Sequence, residues 1–430
     1  METVLQNLEQ KFVISNRYHP NLMAIFILLG VGLVVLWIRK HKKSSSNEQI
    51  HGPGLLNSLK LLFRTNAMRL RLIDEWAKTY KDIFEFKLGP YSIVCLNSPP
   101  LIQKLLSSRD SNYLAKPQIY DIFRQFIGDG VLVSEGNKWK SRRKVLNSQI
   151  FAYGTLTYYM KLFNEEGDSL VNIFDSLATS PFSAPIDDIL LKSSLSAISK
   201  ILLGQTLNSR DKSSETKIIW MMTKAKEMIL TKFCNPLHRS KWLWRLHPMS
   251  KVENEAQNFT KELKTSVMNN NFPFQTQLLD NGVPPDEIFN ESLNLLTAGF
   301  DTTATGLHFL LLILSLHPSH QEKCQQEVDL LFEETDNEIS LSALSKLEYL
   351  EMCMNEALRL MPVIPGFMRG IKTPLDLGNG QILPANTTVL VYAHGIHMNP
   401  EYYPEPQRFM PERFSKAETR KRPAYLSMME

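Results

Sequence analysis

Three groups of residues in this chain have side chains whose types and spacing could support chemistry. The first is the segment 298–303, in which Asp301, Thr302 and Thr303 interrupt a long apolar stretch. Buried polar groups need partners, so something polar is expected beside them. Threonine hydroxyls can bond back to carbonyls of the preceding helical turn and open the helix for water or a small ligand. We interpret the segment as a proton route; the structural alternative is that these groups satisfy one another or an arginine of a neighbouring helix.

The second group combines one acid with two arginines. Glu356 and Arg359 are three residues apart, which places them on one face of a helix. Alone, such a pair contributes only about 0.3 kcal/mol. Arg413 lies in the Pro-bounded segment 409–414, and one carboxylate can bridge two guanidiniums. The sequence permits this triad but does not by itself show the contact.

The third group pairs an indole with a guanidinium. Trp139 and Arg143 are one helical turn apart, and both offer donors suited to a carboxylate. The basic residues around them are Lys138, Lys140, Arg142 and Lys144. The pair could therefore grip a carboxylated ligand, and the basic face could dock an acidic partner protein. A solvated basic helix is the alternative.

Composition limits the classes of function. With 43% hydrophobic and 21% charged residues the chain has an ordinary globular composition, and its net charge of +4 gives no indication of a nucleic-acid partner. The four cysteines form no C-x-x-C pair and have no histidine at zinc-ligand spacing; they are Cys95, Cys234, Cys324 and Cys353. We therefore predict neither a disulfide scaffold nor a metal site, and the thiols fit a reducing compartment.

The elements that must position these groups begin with a predicted membrane anchor. Residues 22–38 contain no charged side chain, and the basic run 39–43 follows at once. At about 1.5 Å per residue the apolar run reaches the short end of a bilayer span. We predict an anchor at 1–43 with the remaining chain on the cytoplasmic side of the endoplasmic reticulum membrane, rather than a cleaved signal peptide.

Beyond the anchor, a polar stretch rich in Gly and Pro predicts a linker at 44–58, and 59–430 is predicted to be one large domain. The run 292–316 is apolar nearly all round and is interpreted as a buried central helix, a second membrane span being the alternative. Strands are predicted only at 83–96 and 374–392. The predicted fold class is therefore mainly α with small β-sheets.

Taken in order, these motifs resemble those of the cytochrome P450 family, the haem-thiolate monooxygenases. Residues 139–143 match the W-x-x-x-R of its C helix, and residues 298–303 match the A-G-x-D-T-T of its I helix. Residues 356–359 match its E-x-x-R, and residues 411–414 match its P-E-R-F. Four such motifs in order after a predicted anchor make the resemblance specific. Within the family the chain is similar to the microsomal family-4 clan and its arthropod relatives.

The resemblance implies haem b as the cofactor and assigns residues to it. Trp139, Arg143 and Arg369 would hold the haem propionates. Ala298 and Gly299 would lie over the haem face and leave space for oxygen.

The resemblance also implies roles for the acids and their partners. Thr302, supported by Asp301, would deliver protons to dioxygen. Glu356, Arg359 and Arg413 would form the family's structural triad on the other side of the haem.

The implied activity is the insertion of one oxygen atom of O2 into a lipophilic substrate of the fatty acid, steroid or xenobiotic class. The implied partners are that substrate, O2, membrane lipid and an NADPH–cytochrome reductase docked on the basic face 138–144. No nucleic acid is expected as a partner.

The chain departs from the family in one respect. Members carry a loop after P-E-R-F whose cysteine ligates the haem iron. Only 16 residues follow Phe414, they contain no cysteine, and none of the four cysteines elsewhere matches that position. We therefore expect a chain truncated before the ligand loop and the helix after it, without a thiolate ligand. Two interpretations stay open: a monooxygenase represented by a truncated or spliced product, and a non-catalytic remnant that binds a ligand or partner.

Overall fold

Helices account for most of the structure, a computed structural model that describes residues 50–88, 91–107, 115–179, 185–203, 212–268, 272–335, 339–378 and 381–421. All of these residues belong to one unit, Gln49–Glu430. The predicted anchor, 1–43, lies outside the described residues. So does the first part of the predicted linker, whereas its last part already forms the start of a helix, Gly54–Leu59.

The described helices are numbered here in chain order. The first nine are α1 Gly54–Leu59, α2 Asn66–Tyr80, α3 Pro99–Leu106, α4 Asp121–Ile127, α5 Gly136–Gln149, α6 Tyr153–Ala178, α7 Ile186–Leu203, α8 Lys212–Cys234 and α9 Lys241–Arg245. The others are α10 Met249–Met268, α11 Pro273–Asp280, α12 Pro285–Leu316, α13 Pro318–Thr335, α14 Leu341–Leu344, α15 Glu348–Leu360, α16 Ala393–His397 and α17 Lys416–Lys421. Short 3₁₀ turns cover Lys60–Phe63, Gln118–Tyr120, Pro236–Arg239 and Pro411–Phe414.

Six strands form two small sheets among the described residues. They are β1 Ile83–Leu88, β2 Tyr91–Leu96, β3 Phe367–Ile371, β4 Leu375–Gly378, β5 Gln381–Leu383 and β6 Thr387–Val391. The larger sheet has the order β1-β2-β6-β3, and β4 pairs with β5 in the smaller one. The prediction of a mainly helical fold with small sheets is confirmed.

Strand register follows the sequence signals only where the pairing is local. The antiparallel pair β1/β2 runs from Ile83 opposite Leu96 to Leu88 opposite Tyr91, where a hairpin was predicted. The parallel pairing of β2 with β6, which sets Ile93 opposite Thr388, joins segments almost 300 residues apart and was not predicted. This pairing brings the front of the domain to the segment that follows α15.

The central helix is α12. It begins with Pro285, whose missing N–H costs nothing because the N–H groups of the first turn have no partner within the helix. The acids Asp286 and Glu287 follow, where the helix dipole favours negative charge. Its first half is buried against α7, as predicted, whereas leucines in its second half are exposed, among them Leu311 at 41%. By length and composition α12 is also apolar enough to cross a membrane.

Two glycines allow the loop before α5 to lie against α12. A Cβ on Gly128, which has φ +72°, would come within 2.2 Å of the Asn290 side chain. A Cβ on Gly130 would meet Asn294 at 2.5 Å. The fully buried side chains of Glu291 and Asn294 then accept from backbone N–H groups of the loop at 3.0 and 3.1 Å. The central helix is thereby fixed to the chain that leads into α5.

Candidate functional site

A cavity of about 490 Å³ lies between α12 and α15. Its walls come from α12, α15, the segment after α15, α16 and the 3₁₀ turn 411–414. The lining residues are Ala298, Thr302, Asn355, Leu358, Arg359, Pro362, Val363, Ile364, Ala393, His397, Tyr403 and Phe414. Most of these side chains are apolar, which suits a planar hydrophobic group rather than a charged one.

On α12 the cavity is faced by Ala298 and Thr302, which are one helical turn apart. The Thr302 hydroxyl donates to the carbonyl of Ala298 at 2.5 Å, the back-bonding that threonine in a helix allows. Gly299 is not among the lining residues, because it faces α7, where its Cβ would lie 3.0 Å from the side chain of Ile198. In this structure Gly299 permits a close approach between two helices.

Asp301 also turns away from the cavity. Its Oδ1 accepts from Nζ of Lys226 on α8 at 2.8 Å, and the side chains are 29% and 51% exposed. The partner is therefore a lysine and not the arginine that the structural alternative considered. The pair joins α8 to the helix that carries Thr302, one residue from the hydroxyl that faces the cavity.

On the opposite wall the Glu356 carboxylate contacts both arginines of the predicted triad. Arg359 donates from Nε and Nη2 to its two oxygens at 2.6 and 2.8 Å, and Arg413 Nε lies 3.3 Å from Oε1. The backbone N–H of Met410 also donates to Oε1, at 2.9 Å. Arg359 donates further to the carbonyl of His397 at 2.7 Å. The cluster therefore joins α15 to α16 and to the 3₁₀ turn 411–414.

The basic face predicted on α5 is smaller than expected. Lys138 forms ion pairs with Asp129 and Glu287, each at 3.0 Å, and Arg142 is buried with Nη2 2.6 Å from Glu287. Because both cations turn toward α12 and the preceding loop, they are not available to an acidic partner. The cations of this helix that are exposed are Lys140, Arg143 and Lys144.

The predicted ligand-gripping pair on α5 is open to solvent. Trp139 is 38% exposed, and the Arg143 guanidinium lies over the ring of Phe151 at 5.8 Å. Neither residue is among those that line the cavity.

Arg369 on β3 lies beside a second cation that the sequence did not reveal, Lys116. Burial, and after it the charge of Arg369, lowers the pKa of Lys116 to about 8. Burial also lowers the pKa of Arg369. Within the described ranges Arg369 has no carboxylate at ion-pair distance, and its guanidinium donates to the carbonyl of Met368 at 2.9 Å. The Glu135 carboxylate, which accepts from the Lys116 backbone N–H at 3.2 Å, acts on the Lys116 pKa in the opposite direction, and two partly desolvated cations together favour a further anion.

The residues present fit a haem. The largely apolar cavity would hold the macrocycle, and cations outside it are groups that pair with carboxylates such as the propionates. Arg369, Lys116, Trp139 and Arg143 carry donors of the kind that would hold propionates, although none of the four lines the cavity. None of the four cysteines is among the described residues that line the cavity, whereas the lining includes an imidazole, His397, and a phenol, Tyr403.

Three contributors to this site escaped the sequence analysis. Lys226 sits on α8, 75 residues from its partner Asp301. Lys116 precedes a proline in a loop without periodicity, and His397 lies in the five-residue helix α16. Lys226 could have been sought as a cation within a helical segment of the region between α7 and α12. Lys116 and His397 belong to no motif that the sequence analysis used.

Comparison with known proteins gives a consistent result. The family profile described as Cytochrome P450 matches residues 51–428. The chain is 25% identical over 425 residues to cytochrome P450 4c21 of Blattella germanica, covering 91% of this chain and 83% of that protein. It is 27% identical over 386 residues to the probable cytochrome P450 4ac1 of Drosophila melanogaster, covering 83% and 74%. It is also 27% identical over 384 residues to cytochrome P450 4F8 of Homo sapiens, covering 82% and 73%.

Proposed function

The chain belongs to the cytochrome P450 family, and from that premise we propose that it is a membrane-anchored monooxygenase of lipophilic substrates. Members of the family are haem monooxygenases that use O2 and electrons from a reductase. The prediction of the family, and of its similarity to the family-4 clan and its arthropod relatives, is confirmed, and the similar proteins also include a human one. The substrate class, the membrane anchor and the location at the endoplasmic reticulum are our proposals.

The observation that carries this proposal is the cavity between Ala298 and Thr302 on one wall and Arg359 on the other. Haem bound there would supply the oxygen-activating chemistry. The apolar side chains of Leu358, Val363 and Phe414 reduce the contact of a bound group with water. The Ala298 methyl group leaves room in the cavity that a larger side chain would fill.

Thr302 is the residue that could hold and move a proton at the cavity. Its Oγ1 donates to the Ala298 carbonyl, and rotation about one bond would turn that proton into the cavity. Asp301, beside it in the chain, holds Lys226 at the outer face of the helix, where both groups meet solvent. Asp301 therefore faces solvent while Thr302 faces the cavity, and water within the cavity would have to carry a proton to the Thr302 hydroxyl.

The lipophilic substrate class rests on the resemblance of the chain to the family, since haem would occupy the cavity itself, whose lining also includes the polar side chains of Thr302, Asn355 and Arg359. Fatty acid, steroid and xenobiotic substrates all belong to that class. The proposed anchor rests on the uncharged run 22–38 and the basic run 39–43 that follows it.

A second candidate function is a protein that binds a ligand or partner without oxygen chemistry. It is favoured by the two side chains of the lining that carry an imidazole and a phenol, His397 and Tyr403. A thiolate ligand increases the electron density that favours O–O cleavage, whereas imidazole or phenolate ligands serve other haem proteins. The axial ligand therefore decides between the two candidates.

A haem titration of the full chain in detergent tests the cavity. We expect the Soret absorption to saturate at one haem per chain. Ala298→Phe, which occupies part of the cavity, should weaken haem binding at least about tenfold, the order of 1.4 kcal/mol. Leu311→Phe, on the same helix but outside the cavity, is the matched control and should bind haem like the unmodified chain. Equal binding by both variants would place haem elsewhere and overturn the proposed site.

The reduced, carbon monoxide-treated complex then separates the two candidates. A Soret band at the position typical of thiolate-ligated haem supports the monooxygenase. A band at the position typical of imidazole ligation overturns oxygen chemistry for a chain of these 430 residues and supports the second candidate. Helical circular dichroism of each variant shows that it has folded.

A further inference from the structure

Two thiols outside the cavity lie side by side between α13 and α15. Cys324 is 5% exposed and Cys353 is fully buried. The Cys324 thiol points to the sulfur of Cys353 at a distance of 3.5 Å. Both are free thiols, and the proposed function uses neither of them. They are packed among apolar side chains from α12, α15 and the segment before the 3₁₀ turn 411–414, including Leu310, Ala357 and Phe409.

Contacts on both sides of Cys324 hold the two helices in register. One turn before it, His320 Nδ1 lies 2.6 Å from the hydroxyl of Tyr349 at the start of α15. One turn after it, the two oxygens of Glu327 accept from the backbone N–H groups of Tyr349 and Leu350 at 2.7 and 2.9 Å. A slip of one helix along the other would break these bonds, so the two sulfurs stay close to one another.

We propose that Cys324 and Cys353 form a redox-modification site, at which a hydroperoxide converts the two thiols to a disulfide between α13 and α15. A disulfide has a sulfur–sulfur distance of about 2.05 Å, so the sulfurs must approach by about 1.5 Å. Side-chain rotation can supply that movement while the contacts of His320 and Glu327 keep the helices in place. This site is independent of haem and of the proposed function.

The reaction balances with hydrogen peroxide as the oxidant. The Cys324 sulfur, the more accessible of the two, attacks one peroxide oxygen; the O–O bond breaks, and water leaves once the thiol proton is transferred. The product is a sulfenic acid at Cys324. The Cys353 sulfur then displaces the hydroxyl group, which leaves as water with the Cys353 proton. Two thiols and one peroxide give one disulfide and two waters.

Burial of the two thiols makes the first step slow, and the contact between their sulfurs limits disulfide formation to Cys324 and Cys353. Burial raises the pKa of Cys324 and, together with the neighbouring Cys324 thiol, that of Cys353. Because the thiolate is the nucleophile, the first step should accelerate as the pH rises. Cys234 is half-buried, and Cys95 is buried. Within the described residues neither of these two thiols contacts another cysteine, so neither is expected to form an intramolecular disulfide.

The cross-link would tether α15 one turn before Glu356. It closes a loop of about 30 residues, which restricts the unfolded chain and raises the midpoint of thermal unfolding by about 5 °C. Oxidation would therefore stabilise the helix that holds the triad.

The experiment treats the full chain in detergent with hydrogen peroxide, blocks the remaining thiols with an alkylating agent in denaturant, and analyses the peptides by mass spectrometry. We expect a peptide pair joined through Cys324 and Cys353, two hydrogen atoms lighter than the separate thiol peptides and separated again by dithiothreitol. Cys95→Ser, a matched change at another buried cysteine, should leave the cross-link unchanged.

Oxidation of Cys234, the more exposed thiol, shows that enough peroxide has been added. If Cys234 is oxidised while Cys324 and Cys353 are both recovered as alkylated thiols, the proposal is overturned. Recovery of Cys324 as a sulfinic acid without a cross-link also overturns it. In Cys353→Ala, where the resolving thiol is missing, Cys324 should stop at the sulfenic acid and react with dimedone. The mass analysis of the unmodified chain decides the question even if that variant does not fold.

Discussion

Two acids beside the cavity, Glu356 and Asp301, belong to ion pairs of different construction. Glu356 is fully buried and accepts hydrogen bonds from Arg359, Arg413 and a backbone N–H. Asp301 is partly exposed and contacts one exposed lysine, Lys226.

The two ion pairs differ in how much free energy it costs the acid to change its partner. Bonds on both oxygens make it costly for Glu356 to change partner, because any change leaves a buried charge uncompensated. Asp301 can exchange Lys226 for water at little cost, because both groups already meet solvent. The first arrangement suits a structural role at the cavity wall, and the second suits a group that exchanges its partner at the solvent-facing side of the helix.

A third carboxylate tests whether burial or hydrogen bonding makes the difference. Glu291 lies on α12 like Asp301 and is fully buried like Glu356. Its Oε2 accepts from the backbone of Val131, but its Oε1 has no hydrogen-bond partner, and Arg142 Nε lies 3.6 Å away. Burial raises the pKa of Glu291, with the backbone bond and Arg142 acting in the opposite direction.

The largest effect is expected from Glu356→Gln. The change removes the negative charge that Arg359 and Arg413 share, leaving two buried guanidiniums uncompensated, so the free energy of unfolding should fall by about 3–5 kcal/mol. Urea denaturation followed by circular dichroism measures the loss. The matched control is Glu351→Gln, an exposed acid on the same helix, which should stay within about 0.5 kcal/mol. Similar losses of unfolding free energy in both variants would show that the triad contributes no more to stability than an ordinary pair on a helix surface.

An intermediate, pH-dependent effect is expected from Glu291→Gln. A carboxyl group whose pKa is raised by folding is protonated more readily in the folded chain, so its stabilising contribution is present at low pH and is lost as the pH rises. The glutamine variant does not titrate there. We expect it to match the unmodified chain near pH 5 and to be more stable by about 1 kcal/mol near pH 8.

The measurement for Glu291 is urea denaturation at both pH values. Glu287→Gln is not a suitable control, because Glu287 bonds both Lys138 and Arg142. Glu351→Gln serves again, with no difference expected between the two pH values. If the glutamine variant instead loses stability relative to the unmodified chain as the pH rises, Glu291 is charged and fully hydrogen-bonded in the folded chain. Glu291 would then resemble Glu356 and would not differ from it.

The smallest effect is expected at the exposed pair. In a double-mutant cycle of Lys226→Ala and Asp301→Asn, the coupling free energy should be about 0.5 kcal/mol at low salt and close to zero at about 1 M salt. Denaturation of the four proteins at the two salt concentrations provides the values. A coupling above about 2 kcal/mol that persists in salt would make this pair structural, like the triad.

Local patterns in the sequence were sufficient for part of the fold. The first hairpin, the helix around residues 292–316 and the helix that carries Glu356 follow from periodicity and turn residues within short windows. The parallel pairing of β2 with β6 could not be predicted in the same way, because parallel strands connect through long crossovers that carry no local register signal.

The same limit applies to the site. Ala298, Thr302 and the triad lie in recognisable motifs, whereas the partner of Asp301 and the second cation beside Arg369 depend on which distant segments meet. Arg142 shows the opposite error. Sequence grouped it with an exposed basic face, but helix rotation places it one turn from Lys138 on the side that packs against Glu287.

One backbone contact between the loop before α4 and β3 has a consequence for proton binding. The loop that carries Lys116 is joined to β3 by a bridge between Ala115 and Gly370, whose N–H donates at 2.7 Å, so Lys116 and Arg369 are held together despite their like charges. With its pKa lowered to about 8, Lys116 is partly neutral in mildly alkaline solution. A carboxylate arriving between the two cations would raise that pKa again. Binding of a further carboxylate, beyond Glu135, would therefore take up a proton at pH values near 8, and its affinity would fall as the pH rises through that range.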